Sequence, residues 1–470
     1  MTVIGVDDTD SRERGMCTTY LAARLAERLR DAAGEDATDA ASVERLLLVR
    51  LNPAVEHKTR GNAALAVHTD ADPDDALRVA REEIDAVAET DDPRTNPGLV
   101  VAPGDPDDVP NGVADFARAA VRDHLSVADA DDRIAAAGYR SAGWKLGRGK
   151  VGALAAVGAW AAFGAGEDAE GEGGSANGDA GDATDPWTYE CISYREPDRV
   201  GAPREVDAES VFEAANDAYP AAWDTVDRET GQLVCVPHTP GPILHGIRGD
   251  DPDVVRAVAE AIESEPVSRR AVFVTNQGTD AHLRDAALAD VEDGRAYRVD
   301  GTVADAPETR RGGHVFFSLR DAGSDPDSGS ANSDSESANS DSGAELRCAA
   351  FEPTKRFRDR VRALRPGDRI TACGEVSDGT LKLEKFAVRE LDRTELATPD
   401  CPECDRSMES AGAGQGYRCR DCGTTAPGKV ERAVDRELAV GWYEVPPEAR
   451  RHIAKPLVRG GFDAPVHPEK

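Results

Sequence analysis

Four cysteines near the C-terminal end constrain the fold of this chain more narrowly than any other feature of its sequence. They form two Cys-x-x-Cys pairs with fourteen residues between them, a spacing that is typical of zinc ribbons. Four thiolates complete a closed tetrahedral site, and a module this short folds only when bound metal supplements its small core. The pattern therefore predicts a structural zinc ion bound by Cys401, Cys404, Cys419 and Cys422, with redox cysteines or chance spacing as the alternative.

Two polar low-complexity tracts divide the rest of the 470 residues. The tract 164–186 is rich in Gly, Ala, Asp and Glu, and the tract 323–345 is rich in Ser, Asp and Asn. Neither has enough apolar side chains to form a core, so we expect both to be disordered inserts. The predicted domains are 1–163, 187–295, 296–395, which contains the second tract as an insert, and 396–470.

The first two segments mix strands and helices. In 1–163, strands are predicted at 3–6, 45–51 and 63–67, and helices from residue 18 and at 76–87, an alternation typical of an α/β domain. In 187–295, strands are predicted at 189–194, 232–237 and 271–275, and helices at 208–218 and 252–263. The second pattern favours a small α+β domain of the ferredoxin-like type.

The third segment has a different pattern. Five short strands are predicted at 296–303, 314–319, 345–350, 369–376 and 380–388, with one helix at 355–364. Five strands with one helix favour an OB-fold barrel, with the Ser-rich tract inserted in a hairpin loop. Beyond the cysteines, we expect a basic helical tail that runs to Lys470.

The composition is strongly acidic. The formal net charge is −33, and only nine of the 56 basic residues are lysine, as in proteins of high-salt cytoplasms, where charge repulsion is screened. This average charge does not exclude a nucleic-acid partner, because local basic patches survive within it. Since no long apolar run and no secretory leader is recognisable, we expect a cytoplasmic protein without membrane contact.

Acidic residues follow the first predicted strand. Asp7, Asp8 and Asp10 lie at its carboxyl end, where α/β folds place their sites, and their oxygens suit Mg²⁺ on ATP phosphates. Thr18 lies at the start of the next helix, where it would be a phosphate ligand, a phosphate acceptor or simply the N-cap. The alternative for the aspartates is an ordinary polar turn in an acidic protein.

Two further segments suit phosphate groups. Gly147, Arg148 and Gly149 begin a Gly-rich loop before a helix, and backbone N–H groups of such loops bind phosphate. Lys58 and Arg60 belong to the densest basic run of the first segment. The loop is not a Walker A sequence, and the basic run is equally consistent with a solvated turn.

The second segment has two polar loops after apolar strands. One contains His238, and the other contains Asn276, Thr279 and Asp280. Together they are candidates to line one small-molecule pocket, with ordinary turn chemistry as the alternative.

Basic residues accompany aromatic residues in the barrel and tail, a combination that suits nucleic acid. Phenylalanines of a barrel are nevertheless more often core residues. The candidate nucleic-acid contacts are Arg311, His314, Lys355, Arg356, Lys385, Arg450 and Arg451.

These motifs together resemble a known family. The segments GVDDTD at 5–10 and GMCTTY at 15–20 are similar to the opening of the archaeal tRNA-isoleucine 2-agmatinylcytidine synthetases. The resemblance continues through most of the chain outside the two polar tracts. Further matching segments are 50–53, 58–62, 96–98, 147–152, 275–280, 312–315, 352–355, the zinc ribbon and 449–452.

The resemblance implies four domains: a kinase-like ATP domain, a ferredoxin-like domain, an OB fold and a zinc ribbon. It implies a ligase that activates the C2 carbonyl of the wobble cytidine with ATP. The primary amine of agmatine then displaces the activated oxygen. The substrate would be the isoleucine tRNA with a CAU anticodon, which would then read AUA. No obligatory protein partner is implied.

The resemblance also implies roles for single residues. Asp7 and Asp8, and less strongly Asp10, would hold Mg²⁺–ATP, and Thr18 would take part in phosphate transfer. Lys58, Arg60 and the 147–149 loop would bind phosphates. Agmatine carries two positive charges, so Asp280 is the candidate acidic partner, with His238, Asn276 and Thr279 near it.

Two other functions compete with the ligase. A non-catalytic nucleic-acid-binding protein would explain the barrel and the ribbon, but it would not need the aspartate cluster with Thr18. A metal-dependent phosphohydrolase would use Asp7, Asp8 and Asp10, but it would leave the nucleic-acid-binding half of the chain without a role.

Overall fold

The computed structural model describes residues 1–31, 41–56, 58, 61–164, 186–321 and 343–469. Arg60 and most of the two low-complexity tracts lie outside these residues, so the roles expected for them stay predictions. The described residues include eight α-helices: α1 (Thr18–Asp31), α2 (Pro73–Val87), α3 (Asn111–Arg122), α4 (Val127–Ala137), α5 (Gly149–Phe163), α6 (Ala208–Ala218), α7 (Pro252–Ala261) and α8 (Phe357–Arg362).

The strands fall into an N-terminal and a C-terminal set. The first set is β1 (Thr2–Asp7), β2 (Val43–Arg50), β3 (Ala63–Thr69), β4 (Gly98–Pro103), β5 (Arg140–Gly143), β6 (Thr188–Arg195), β7 (Ala222–Trp223), β8 (Val226–Asp227), β9 (Gln232–Leu233), β10 (Ile243–Gly249) and β11 (Val267–Thr275). The second set is β12 (Leu283–Asp285), β13 (Arg295–Val303), β14 (Glu308–Thr309), β15 (Val315–Arg320), β16 (Glu345–Ala350), β17 (Arg369–Ser377), β18 (Thr380–Glu390), β19 (Thr394–Ala397), β20 (Glu409–Ser410), β21 (Tyr417–Arg418), β22 (Thr425–Ala426), β23 (Val430–Ala433), β24 (Gly441–Glu444) and β25 (Val466–His467).

One nine-stranded sheet runs through the N-terminal half, in the order β5-β4-β1-β3-β2-β11-β6-β10-β7. The predicted alternation of strands and helices is confirmed, but neighbouring strands are antiparallel, unlike those of a parallel α/β sheet. The reason is that β3 lies between β1 and β2 and is joined to β2 by a short connection. Among the described strands of this sheet only β2 and β11 pair in parallel, and this pairing makes the sheet continuous between the first two predicted domains.

The alternation of side chains along β1 explains how the sheet is covered. Ile4 and Val6 face the core formed with α1 and α2, whereas Val3 faces the opposite core, formed with α3 and α5. Helix α5 lies very close to β1, because a Cβ atom at Gly5 would come within 3.0 Å of the backbone of Ala153. The glycine therefore brings the start of α5 beside the end of β1.

The second part of the sheet differs from its prediction in one strand. Strands β6 and β11 and helices α6 and α7 are where the sequence predicted them. The prediction of a strand at 232–237 is mostly wrong. Only Gln232–Leu233 is a strand, and it pairs with β8. Strand β10 instead lies beside β6. Pro237 has no backbone N–H for a ladder, and the glycines within β10 concealed its strand pattern.

The predicted five-stranded barrel is confirmed. Strands β13, β15, β16, β18 and β17 pair in that cyclic order, and of these pairs only that of β16 and β18 is parallel. Helix α8 contributes Phe357 and Val361 to the barrel core. The predicted helix at 355–364 is present but shorter, since α8 runs from Phe357 to Arg362.

The C-terminal tail is not helical, and that prediction is wrong. Strand β24 pairs with β18 at the barrel edge, and β25 pairs with β24. Between them the chain forms only short 3₁₀ turns, at Pro447–Ala449 and Leu457–Arg459. Pro446, Pro447 and Pro456 explain the difference, because proline interrupts a helix interior.

Among the described residues, no helix is both long and apolar enough to cross a membrane.

Candidate active site

A cleft of about 540 Å³ lies where β1 ends and where α1 and α5 begin. The wall opposite is formed by β6, β10 and the connection after β2. This cleft brings together most of the residues that the sequence predicted for phosphate chemistry. They are Asp7, Asp8, Asp10, Thr18, Lys58, Arg148 and Gly149.

The carboxylates of the cleft are tightly held. The backbone N–H of Asp8 donates to Oδ1 of Asp7 at 2.7 Å, and the N–H of Asn96 donates to Oδ2 of Asp8 at 2.9 Å. Burial, together with the charge of Asp8, holds the pKa of Asp7 well above its ordinary value. Burial also raises the pKa of Asp8 to about 7, with Asp10 adding to the effect. A site of this kind favours a bound cation, since ionised carboxylates repel each other here.

Two helix N-termini line the same cleft. Thr18 is the first residue of α1, is 5% exposed, and its Oγ1 accepts a hydrogen bond from the hydroxyl of Thr9 at 3.1 Å. Gly149 is the first residue of α5. The free N–H groups and the dipole at a helix N-terminus attract anions, so both ends favour phosphate beside the carboxylates.

The Gly-rich loop has a packing role as well as a place in the cleft. A Cβ atom at Gly152 would lie within 3.0 Å of the Asp7 carboxylate, and one at Gly149 would meet the backbone of Asp7 and Gly98. Gly147 forms a turn with φ of 60° and does not line the cleft. Of the three loop residues predicted to bind phosphate, Arg148 and Gly149 therefore lie in position to do so.

Sequence reasoning assigned no role to an ionic group on the opposite wall. The side chain of Glu190 lies between Arg50, 3.6 Å from its Oε2, and Arg248, 3.4 Å from its Oε1. Oε2 is buried and has no hydrogen-bond donor among the described residues. Burial lowers the pKa of Arg50 to about 10. The available signal was a charged residue within the apolar strand that became β6.

Two residues of the basic run at 57–62, Lys58 and Arg60, were expected to bind phosphate, and the structure describes Lys58. It lines the cleft, and burial lowers its pKa, with Glu375 of the barrel opposing that shift. Arg60 lies outside the described residues.

The four residues proposed for agmatine do not meet in the cleft. Asn276 holds the sheet together, accepting from the backbone N–H of Arg50 at 2.7 Å and donating to its carbonyl at 3.0 Å. Thr279 donates to the carbonyl of Asn276 at 2.7 Å. His238 contacts Gln232 at 3.3 Å and does not line the cleft, although Pro237 and Thr239 beside it do.

Asp280 is bound by side chains of this chain, and its predicted role as the acidic partner of agmatine stays a prediction. Its oxygens lie 2.9 and 3.0 Å from the ammonium of Lys385, which is 1% exposed, and 3.0 Å from Arg298. The backbone N–H of Lys455 also donates to it at 2.7 Å. The Asp280 carboxylate is therefore already bound by Lys385, Arg298 and the backbone of Lys455, and unlike Glu190 it does not line the cleft.

Thr279 and Asp280 instead line a second cavity, of about 550 Å³, which we call the junction cavity. It lies where the first domain, the loop after β11, the barrel and the tail meet. Its charged side chains are Arg122, Asp280, Arg298, Arg389, Lys455, Arg459 and Asp463, and its aromatic side chains are Phe163, Trp442 and Phe462.

Three of the seven residues predicted to contact nucleic acid lie at the barrel surface. Arg311 and Lys355 are exposed, and the ring of His314 lies 5.2 Å from that of Phe351. Nearby, the Phe316 ring has the guanidinium groups of Arg310 and Arg347 within 4.8 and 4.4 Å of its centre. Arginine and aromatic groups together form a surface that suits stacked bases and phosphates.

The other four are paired with carboxylates of this chain, and their predicted contact with nucleic acid stays a prediction. Lys385 is buried against Asp280. Arg356 lies 3.0 Å from Asp227, Arg450 lies 2.8 Å from Asp224, and Arg451 lies 2.8 Å from Glu375. The basic character of the tail reflects ion pairs that join the tail to the barrel and the second domain.

The four cysteines meet as predicted. Their sulfur atoms all lie within 4.8 Å of one another, and those of Cys401 and Cys422 are 3.3 Å apart. Tetrahedral zinc with Zn–S bonds near 2.3 Å requires S···S separations of about 3.8 Å, so the donor set fits the metal.

Three family models match segments of the chain. They describe a TiaS TCKD domain at residues 3–71, a TiaS FLD domain at 147–282 and a TiaS C-terminal zinc ribbon domain at 398–438. The chain is 52% identical to an isoleucine-tRNA 2-agmatinylcytidine synthetase, TiaS, of Haloquadratum walsbyi, over 100% of both chains. It is 45% identical to the Methanosarcina mazei protein of the same name, over 97% of each.

Solved structures give the same relationship. A crystal structure of TiaS in complex with its isoleucine tRNA and ATP has a TM-score of 0.81 and 38% identity, covering 100% of this chain and 99% of the other. A complex of TiaS with the same tRNA, AMPCPP and agmatine has a TM-score of 0.79 and 36% identity, again covering 100% and 99%. With a relative 52% identical over its full length, the chain belongs to the TiaS family of isoleucine-tRNA 2-agmatinylcytidine synthetases.

Proposed function

We propose that the chain is an ATP-dependent ligase that joins agmatine to C2 of the wobble cytidine in the CAU anticodon of an isoleucine tRNA. The product, 2-agmatinylcytidine, would pair with A and let the tRNA read AUA. The observation that carries the proposal is the cleft, in which buried carboxylates and two helix N-termini meet in a chain of this family. A protein that only binds RNA has no need for this arrangement.

The cleft residues suit phosphate activation of a pyrimidine. The C2 oxygen of cytidine is a poor leaving group, and transfer of a phosphate from ATP to that oxygen converts it into a good one. Phosphoryl transfer depends on positioning and charge, which the starts of α1 and α5, Lys58 and Arg148 supply here. Thr18, at the first turn of α1, is placed to contact the transferred phosphate.

The second step forms a C2–N bond. The primary amine of agmatine attacks C2 and loses a proton, and the C2–O bond breaks so that the oxygen leaves with the phosphate. Neither step needs an oxidant or a reductant. The base must leave its stack for C2 to be reached, as in other enzymes that modify bases.

The carboxylate oxygens of Asp7 and Asp8, with Asp10 beside them, are hard ligands of the kind that Mg²⁺ prefers. When bound, Mg²⁺ would supply positive charge next to the phosphates of ATP.

Agmatine requires an acidic partner, and we assign that role to Glu190 in place of Asp280. Its Oε2 is buried in the wall of the cleft and has no hydrogen-bond donor among the described residues. Arg50 and Arg248, 3.6 and 3.4 Å from its oxygens, hold it in place. A Glu190→Gln variant should raise the KM for agmatine about tenfold or more, because a charge-assisted hydrogen bond is lost. The KM for ATP should not change, and exposed Glu213→Gln is the matched control.

The remaining parts of the chain would hold the tRNA. Arg311, His314 and Lys355 at the barrel surface would contact its backbone. The ribbon, folded around zinc bound by its four cysteines, would present Arg418 and Arg420, both exposed.

The finer domain descriptions belong to the same proposal. We describe 1–163 as a kinase-like ATP domain and 187–295 as a ferredoxin-like domain, with the first low-complexity tract between them. The antiparallel sheet with helices on both faces supports these descriptions. A cytoplasmic location fits a tRNA substrate.

The direct test uses purified protein in high salt with Mg²⁺, ATP, agmatine and unmodified isoleucine tRNA. Nucleoside mass spectrometry of the digested tRNA should show one cytidine that gains the agmatine residue, with loss of the product when ATP or agmatine is omitted. An intact cytidine in tRNA that is still bound by the protein would favour the non-catalytic RNA-binding function. ATP hydrolysis without RNA dependence would favour the phosphohydrolase.

A further inference from the structure

The junction cavity has a charge opposite to that of the chain as a whole. Five basic and two acidic side chains line it, whereas the complete chain has a net charge of −33. It shares no lining residue with the cleft among the residues that the structure describes. A concave site with an excess of one sign of charge and apolar walls concentrates ions of the other sign, so the excess of three basic side chains favours an anion.

Three of the five cations are already paired. Arg298 lies 3.0 Å from Asp280, Arg389 lies 3.0 Å from Asp463, and Arg459 lies 2.6 Å from Asp250. These ion pairs position the guanidinium groups. The two acidic side chains of the cavity, Asp280 and Asp463, are both engaged in the first two pairs.

The other two cations have no carboxylate partner within the described part of the chain. Lys455 is 6% exposed, and its ammonium lies 5.2 Å from the ring centre of Phe462, with no hydrogen-bond acceptor among the described residues. Burial, followed by the charge of Arg459, lowers its pKa to about 8. Arg122 donates from Nε to the carbonyl of Ala281 at 2.7 Å and is paired with no described acid. Both cations line the cavity with no carboxylate oxygen within 4.0 Å in the described part of the chain, so a ligand in the cavity can supply a counter-charge at closer range.

We infer that the junction cavity binds a phosphate group between Lys455 and Arg122. Lysine and arginine are the residues that proteins use for phosphate, and the aromatic walls lower the local dielectric and strengthen the contact. The phosphate has two sources, the backbone of the RNA substrate or a free phosphate ion. The RNA source rests on the proposed function, whereas the free-ion source does not.

The RNA arm of the test measures the affinity of full-length protein for unmodified isoleucine tRNA by fluorescence anisotropy across a KCl series. Lys455→Gln should weaken binding on the order of tenfold and reduce the slope of log affinity against log salt by about 1. Because a backbone contact carries no sequence information, an unrelated tRNA should be weakened by the same factor. The control Arg81→Gln removes one charge from the exposed face of α2 and should change neither quantity.

The second arm measures binding of inorganic phosphate to the same proteins by calorimetry in chloride solution. Loss of phosphate binding in Lys455→Gln, with tRNA affinity unchanged, would identify a free-ion site. Loss of tRNA affinity would identify a backbone site. Unchanged binding in both arms would overturn the inference.

Two further measurements separate this site from folding and from the proposed function. Lys455→Arg keeps the charge and should restore binding, which a folding defect would not allow. Agmatine addition is measured separately, with the wild-type protein. If the wild-type protein adds no agmatine, the proposed function fails, and the phosphate arm still tests the cavity.

Discussion

The cleft and the junction cavity have almost the same volume but different chemistry. The cleft, of about 540 Å³, combines five carboxylates with four basic side chains and two helix N-termini. The junction cavity, of about 550 Å³, has five basic side chains, two acids and aromatic walls. The charges of the cleft are nearly balanced beside two helix N-termini, which suits a reaction, whereas the junction cavity has three more basic than acidic side chains, which suits an anion. Volume alone would not have distinguished them, whereas the charges do.

The strongest way to break this comparison is to remove one carboxylate of the cleft. Asp7→Asn should reduce agmatine addition on the order of 10³-fold, because charge stabilisation in a buried site accounts for a large share of catalysis. The tRNA affinity should stay at the wild-type value, since Asp7 lies outside the surfaces assigned to RNA. Exposed Asp108→Asn is the matched control. Full activity in Asp7→Asn would remove the cleft from the mechanism.

The next largest effect tests whether Asp280 is structural. Asp280→Asn leaves the buried Lys385 without its carboxylate, so the free energy of unfolding should fall by about 3 kcal/mol. Urea unfolding in high salt measures this change. The KM for agmatine of the folded variant should equal that of the wild type. A raised KM with unchanged stability would return Asp280 to the agmatine site.

The cleft and the junction differ in how far sequence predicted them. Asp7, Asp8, Asp10 and Thr18 lie within twelve consecutive residues that lead from strand to helix, so a local pattern revealed them. The zinc ligands were equally easy to predict, because the spacing of the four cysteines alone indicates the ligand set. Most of the predicted strands and helices are present, but strand β4 was missed although its sequence GLVVAP is an apolar run, and helices α3 and α4 were missed as well.

The rest depends on contacts between distant residues. Lys385 and Arg356 are basic in sequence, but their carboxylate partners Asp280 and Asp227 are 105 and 129 residues away. Glu190 became a cleft residue only because β6 joined the sheet beside β11. No local pattern predicts such pairings, which is why the tail's cations were assigned to RNA and Asp280 to agmatine. The antiparallel order of the sheet escaped prediction for the same reason.

The smallest of the three effects concerns His282, which is buried near both Arg50 of the cleft and Arg122 of the junction cavity. Burial lowers its pKa to about 4 from an ordinary value of 6.5. The unfolded chain therefore binds a proton first as the pH falls, and the folded state loses stability from pH 6.5 downward. By pH 5 the loss from this residue should be about 2 kcal/mol. Thermal unfolding of His282→Gln should show a correspondingly weaker dependence on pH between about 7 and 5, and an unchanged dependence would contradict the assignment.

The most direct test of the central claim, that the cleft activates cytidine by phosphorylating its C2 oxygen, is an isotope transfer. The tRNA would be prepared with ¹⁸O at C2 of the wobble cytidine and allowed to react with ATP and agmatine. Mass spectrometry of the phosphate-containing products should then find the ¹⁸O in phosphate, in a one-to-one ratio with the agmatine added. Release of ¹⁸O into water, with unlabelled phosphate, would contradict the claim.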